Sequence, residues 1–239
     1  MVNRPLIIGH RGYPAKYPEN TLLSFMSALY YGADGVELDV WLSGDGVPVV
    51  IHDEDTFRVS GEIRKVKESP VRELRKTYLG MGQTIPTLEE VLLSLPKGSE
   101  LLVEVKDPEA TEEVVRLIEK YERADTTVIV SFITEVVEKA RALNDKLRIG
   151  VNIDSVDKAQ WCVSKVRELG LYSLNPPIEG LKLYGEIARK MLHQARSLGL
   201  RIYVWTVNNL SDALEWIELV DAYITDDVTA LLELRRLGG

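Results

Sequence analysis

Gly35-Val36-Glu37-Leu38-Asp39-Val40 and Leu101-Leu102-Val103-Glu104-Val105-Lys106 are the stretches whose reading decides the fold. Each is an apolar, β-branched run broken by ionisable side chains two positions apart. Side chains at i and i+2 of a strand share one face. Glu37 therefore joins Asp39, and Glu104 joins Lys106, on one side of its strand. Two imidazoles fall in the same kind of place: His10 closes Leu6-Ile7-Ile8-Gly9, and His52 closes Val49-Val50-Ile51. Charged groups at the finishing ends of strand-like runs mark the face where parallel α/β proteins build their sites.

Outward from these runs the pattern repeats. Strand-like segments are predicted at Leu6–His10, Gly35–Val40, Leu101–Val105, Thr127–Ser131, Leu147–Ile153, Tyr172–Leu174, Arg201–Thr206 and Ala222–Thr225. Helical periodicity separates most of them: Thr21–Tyr31 stopped by Gly32, Val91–Leu95 opened by the capping box Thr87-Leu88-Glu89-Glu90, then Thr111–Tyr121, Glu135–Leu143, Val156–Leu169, Tyr184–Leu198, Ser211–Leu219 and Val228–Leu237. Repeated βα units predict a parallel sheet. Eight of them in 239 residues favour a closed barrel over an open doubly wound sheet. No Gly-x-Gly-x-x-Gly fingerprint opens a helix, which weakens the open-sheet reading further. The chain reads as one domain, residues 1–239.

One stretch departs from the alternation. After a turn at Ser43-Gly44-Asp45-Gly46 the chain returns extended to His52, then wanders over residues 54–83, too long for a routine βα loop. Between Phe57 and Thr84, Arg58, Arg64, Lys65, Lys67, Arg72, Arg75 and Lys76 face only Glu62, Glu68 and Glu73. That local basic excess either draws an anionic substrate or is a solvated face with a short helix opening at Ser69-Pro70. The whole chain carries a net charge of −8, which argues against a nucleic-acid partner. No apolar stretch is long enough to span a membrane, the start leaves no room for a leader peptide, and the single Cys162 cannot form an internal disulfide. Cytoplasmic residence is the default expectation.

Glu37, Asp39 and Glu104 should converge at one barrel mouth. Like charges in contact repel by roughly 4 kcal/mol per pair at an effective dielectric of 20, so either a hard divalent cation, Mg²⁺ or Ca²⁺, sits among them or some pair with Arg11 or Lys106. His10 and His52 are suited to proton transfer, though either alone would read as a structural hydrogen-bonding residue. His193, mid-helix, reads as a surface or half-buried residue. Arg11 and Lys106 would hold an anion such as phosphate. A Schiff-base role for Lys106 needs a depressed pKa, which Glu104 on the same face opposes. Trp205 could wall a pocket or belong to the core, while Trp161, Trp216 and Cys162 read as core.

The ordered set His10-Arg11-Gly12, Pro18-Glu19-Asn20-Thr21, Glu37-Leu38-Asp39-Val40, Asp45 to Asp53, Ile85 to Leu92, Glu104-Val105-Lys106, Ser131-Phe132 and Val204-Trp205-Thr206-Val207-Asn208 resembles the glycerophosphodiester phosphodiesterase family over nearly the whole chain. The resemblance implies a TIM barrel with a small insertion after the second strand, over the barrel mouth. It implies hydrolysis of small-molecule glycerophosphodiesters to sn-glycerol 3-phosphate and an alcohol. It matches Glu37, Asp39 and Glu104 to ligands of Ca²⁺ or Mg²⁺, His10 and His52 to the catalytic histidines, Arg11 and Lys106 to phosphate contacts, and Trp205 to the glycerol side of the pocket. Thr225-Asp226-Asp227-Val228 departs from the family pattern by lacking its proline. The rival readings are a non-catalytic binding barrel, which would lack one of these residues, and a phosphodiesterase of the lysophospholipase D type acting on lysolipids. The latter would want an apolar rim or amphipathic anchor, and the sequence displays no convincing one. Oligomeric state is left open.

Overall fold

The computed structural model describes residues 4–237; Met1–Asn3 and Gly238-Gly239, which include part of the start on which the leader expectation rests, lie outside the described residues. Nine strands run in the order β1 (Leu6–Gly9), β2 (Gly35–Leu42), β3 (Pro48–Val50), β4 (Glu100–Val105), β5 (Thr127–Ser131), β6 (Arg148–Asn152), β7 (Ser173–Asn175), β8 (Arg201–Val204) and β9 (Ala222–Thr225). All but β3 are parallel, and β1 pairs with both β9 and β2, so the sheet closes into a (β/α)8 barrel. Each predicted strand is found within about two residues of its expected ends.

Parity along the strands explains why the barrel has a dry floor and a polar mouth. Its interior is packed with Ile8, Leu102, Val128, Val130, Tyr203, Ala222 and Ile224. The residue two further along each strand or its exit points the same way, one pleat nearer the mouth. Ile8 is thus followed by His10, Leu102 by Glu104, Val130 by Phe132, Tyr203 by Trp205 and Ile224 by Asp226. The alternate residues, such as Ile7, Val103, Ile129 and Val204, pack outward against the helices in the main core.

The helices follow their signals, with two corrections. Thr21 caps Leu22–Tyr30, and Gly32 at φ 106° ends that turn. The Thr87–Glu90 capping box is present in full. The single helix expected over Tyr184–Leu198 is instead two, Ile178–Tyr184 and Glu186–Ser197. Gly185 at φ 46° breaks the backbone between them, and the first begins well before the predicted start because Pro177 sits at its N-cap. Val228–Leu237 likewise divides into Val228–Leu231 and Leu234–Leu237.

β3 folds back antiparallel on β2, with Val40 opposite Val50 and Trp41 opposite Val49. Residues 54–83 follow it, carrying short helices at Phe57–Ser60 and, after Pro70, Val71–Leu74. They enclose a satellite core of Val49, Ile51, Val66, Leu74 and Ile85. Among the described residues, all seven basic side chains of this insertion are ion-paired: Arg58 with Glu19 and Asp53, Arg64 with Glu62, Lys65 with Glu68, Lys67 with Asp107 and Glu109, Arg72 and Lys76 with Glu73, and Arg75 with Glu90. The local basic excess is therefore mostly a neutralised, solvated face.

Candidate active site

The turn after β1 sets the first group of side chains. Arg11 adopts φ 51° and Gly12 φ 90°; a Cβ at Gly12 would meet Ser24 Oγ at 2.4 Å, so only glycine lets the chain pass there. In this turn the Arg11 N–H donates to Glu37 Oε2 at 2.9 Å, while its guanidinium lies 3.3 Å from Asp39 and 3.1 Å from Glu19. Asn20 donates to Asp39 Oδ2 at 2.8 Å and accepts from the Asp39 N–H at 3.3 Å.

The three acids come together, as expected. One oxygen from each of Glu37, Asp39 and Glu104 lies within 4.8 Å of the others, and all three residues are buried. Asp39 stands opposite Glu104 in the β2–β4 register. Pairing with the protein's own cations is present too: Lys106 Nζ lies 3.2 Å from Asp39 and 2.6 Å from Glu104. The compensation is uneven. Burial, followed by the charge of Asp39, pushes the Glu37 carboxyl up to about 8. Burial also works against Asp39, but Lys106 and Arg11 overcome it and hold that carboxyl down at about 2. Glu104 is raised by burial and by Asp39 despite its bond to Lys106. The three carboxyl groups thus cannot all ionise on the compensation that Arg11 and Lys106 provide, and their donors are hard oxygens. The trio fits a divalent cation such as Mg²⁺ or Ca²⁺. Asn152, donating to Glu104 Oε2 at 3.0 Å, fixes the third carboxylate.

Both imidazoles are oriented by carboxylates. His10 Nδ1 is 2.7 Å from Asp226 Oδ1, and His52 Nδ1 is 2.6 Å from Asp53 Oδ1. A carboxylate can only accept, so Nδ1 carries the proton in each and Nε2 is left for chemistry. Their surroundings differ. Burial lowers the affinity of His10 for a proton, but the bond to Asp226 and the charge of Glu37 outweigh it and the net shift is upward. Burial dominates at His52 and shifts it downward. Asp53 is itself held by Arg58 at 2.5 Å, and Arg58 also reaches Glu19, tying the insertion to the loop after β1.

A cavity of about 340 Å³ opens at the barrel mouth among His10, Arg11, Glu37, His52, Glu104, Lys106, Phe132, Asn152 and Trp205. Asp39 lies beneath it, 1% exposed. Trp205 is half-buried, its indole N–H donating to the Asn175 carbonyl at 2.8 Å and its ring edge-on to Phe132. His193 is exposed on its helix, away from this set, and Cys162 is buried. From sequence, Asn152 goes unmentioned, and Asn20, Glu19, Asp53, Arg58 and Asp226 fall within quoted stretches without an assigned role in the site. The one signal for Asp226 is parity: it continues the inward face of Ile224. An apolar cleft of about 330 Å³ flanked by Val156, Leu183 and Ile187 opens beside the exits of β6 and β7, so the rim is less polar than the sequence suggests.

Eight parallel strands whose carboxyl ends carry fixed cations, a cation-competent acid trio and one imidazole, with a second imidazole brought in by the β2–β3 hairpin, define a TIM-barrel enzyme site. A sequence profile of the Glycerophosphoryl diester phosphodiesterase family matches residues 10–230, and the chain belongs to that family. A glycerophosphodiester phosphodiesterase of Caldanaerobacter subterraneus is 32% identical, covering 99% of this chain and 100% of its own length. The crystal structure of glycerophosphodiester phosphodiesterase from Thermotoga maritima superposes with a TM-score of 0.86 at 34% identity, over 97% of this chain and 99% of that one. That of an Oleispira antarctica phosphodiesterase in complex with the product sn-glycerol-3-phosphate has a TM-score of 0.87 at 26% identity, over 97% of each chain.

Proposed function

We propose that this chain hydrolyses small-molecule glycerophosphodiesters to sn-glycerol 3-phosphate and an alcohol, with His10 and His52 as the acid–base pair and a divalent cation held by Glu37, Asp39 and Glu104. The observation that carries the reading is that both carboxylate-oriented imidazoles line one cavity together with Arg11, Lys106 and the acids. The product seen bound to the Oleispira relative supports the substrate class.

A phosphodiester is anionic and repels nucleophiles. Arg11 and Lys106, fixed by their carboxylate partners, hold its phosphoryl oxygens and stabilise the charge that builds there in the transition state. A Mg²⁺ or Ca²⁺ bound by the trio supplies further Lewis-acid neutralisation of that charge. One Nε2 takes the proton of the attacking group, which is either water or the substrate's own glycerol hydroxyl forming a cyclic phosphate that water then opens, and the other gives a proton to the departing alcohol oxygen, otherwise a poor leaving group. Trp205 and Phe132 give the glycerol end an aromatic wall. The lone buried cysteine accords with residence in the reducing cytoplasm, and no helix among the described residues is long and apolar enough to cross a membrane.

The test is turnover of glycerophosphocholine, glycerophosphoethanolamine and glycerophosphoinositol with and without EDTA. Turnover that EDTA abolishes and Mg²⁺ or Ca²⁺ restores is the expected result. His10→Ala and His52→Ala are each expected to lose about 10²–10⁴-fold in kcat with an unchanged circular dichroism spectrum; normal activity in either would refute the pair. A second reading, of the lysophospholipase D type, is favoured by the apolar cleft at the rim. It requires turnover of lysophosphatidylcholine above that of glycerophosphocholine, with co-sedimentation on liposomes.

A further inference from the structure

We propose that a second chamber beside the catalytic cavity seats the leaving alcohol and selects alcohols that carry an ammonium group. The proposal rests on the phosphodiesterase reading and names the half of the substrate that reading leaves open. The chamber, about 370 Å³, shares His52, Glu104, Lys106 and Phe132 with the catalytic cavity. A phosphodiester held by Arg11 and Lys106 extends two arms. One lies along Trp205 inside the barrel mouth. The other leaves past an imidazole, and His52 stands on the seam between the two chambers, where the ester oxygen of that arm would pass.

Away from the residues it shares with the catalytic cavity, this chamber is lined by Trp41, Ile133 and the carboxylates of Asp53 and Glu54. The Trp41 ring is held in place by its indole N–H, which donates to the His52 carbonyl at 2.9 Å; Phe132, on the seam, packs edge-on to Trp205 at 5.7 Å and already carries Lys106 Nζ over its ring, 5.9 Å from the centroid. The other charges facing the chamber are engaged. Lys106 is paired with Asp39 and Glu104, and Asp53 with His52 and Arg58. Among the described residues no cation is paired with Glu54, so its negative charge is uncompensated. An indole ring beside an uncompensated carboxylate, here Trp41 beside Glu54, attracts a primary or quaternary ammonium and offers a neutral polyol little.

The opposite exit does not share this chemistry. The depression on the other side is lined by His10, Arg11, Pro14, Ala15, Glu19 and Asp226, with no indole or phenyl ring. Its carboxylates are already engaged, Glu19 by Arg11 and Arg58, and Asp226 by His10 and Asn208.

The experiment compares kcat/KM for glycerophosphocholine and glycerophosphoethanolamine with that for glycerophosphoinositol and glycerophosphoglycerol. The wild type is expected to favour the ammonium substrates by about tenfold or more, mainly through KM. Glu54→Gln lies on an exposed residue and is expected to bring that ratio down several-fold, Glu54→Lys to reverse it, and Phe132→Leu to lower it without reversal. Equal use of all four substrates, or a ratio unmoved by both Glu54 variants, overturns the proposal while leaving the phosphodiesterase reading in place. Failure to turn over any of the four overturns that reading and this one with it.

Discussion

Asp226 reaches His10 from 216 positions downstream, fixing the imidazole while Asn208 fixes Asp226 in turn at 2.9 Å. On the proposed mechanism it would act through the histidine, as a positioning residue. Asp226→Asn keeps an acceptor for Nδ1–H but loses the charge that supports the imidazolium; kcat should fall about tenfold or more, with KM little changed. Asp226→Ala should fall further, and equal losses in the two variants would contradict a positioning role. At the other extreme is Cys162, whose thiol burial pushes up to about 12. The native protein should not react with a thiol reagent at pH 8, and should do so fully after denaturation. The raised pKa also fixes a sign: as pH climbs above about 9 the unfolded chain releases a proton that the folded one retains, so stability falls on the alkaline side. At this scale the sequence was informative where strand ends carry unusual groups, as at His10, Glu37 and Glu104. It assigned no role to Asn20, Asn152 or Asp226. Their types are common in loops, and their meaning comes only from which carboxylate or ring faces them.

β2 carries the site at the level of elements. Glu37, Asp39 and Trp41 share its inner face, and the β2–β3 hairpin brings His52 back beside it, with the Ile51 N–H donating to the Asp39 carbonyl at 3.0 Å. The strand starts at Gly35, where an added Cβ would lie 2.1 Å from the Glu100 carbonyl oxygen of β4. That is backbone, which cannot swing aside. Gly35→Ala should cost about 1–3 kcal/mol in urea denaturation and lower activity along with it, because the displacement shifts Asp39 against Glu104. A variant as stable as the wild type would mean the two strands slide more freely than their register implies. Elements of this kind were largely legible, since period-two apolar runs and capping signals are local. The break at Gly185 was not, because a glycine inside a helical pattern is usually tolerated, and here its backbone turns to φ 46°.

For the molecule as a whole, the balance of charge at the mouth predicts a response to metal. The acid trio is the least compensated buried cluster of the site, so a cation that binds the folded form alone should stabilise it by about 2.7 kcal/mol at a hundred times its dissociation constant. Thermal melts should shift upward with Mg²⁺ or Ca²⁺ in wild type and far less in Glu37→Gln; identical shifts in both proteins would place the cation elsewhere. Closure of the barrel was inferred from a count of repeating units, and the pairing of β1 with both neighbours confirms it. The pairing of the insertion's basic residues was not visible from their number, because partners such as Asp107, Glu109 and Glu90 come from other units. The closing seam also joins the first unit to the last through His10–Asp226, Tyr13–Asp227 and Arg235–Asp34. During synthesis on the ribosome, a nascent chain that has already displayed Glu37, Asp39, Glu104 and both site imidazoles therefore still lacks the clamp on its first histidine. Hydrolytic competence would arrive as the final strand docks, and catalytic turnover can serve as a readout that the ring has shut.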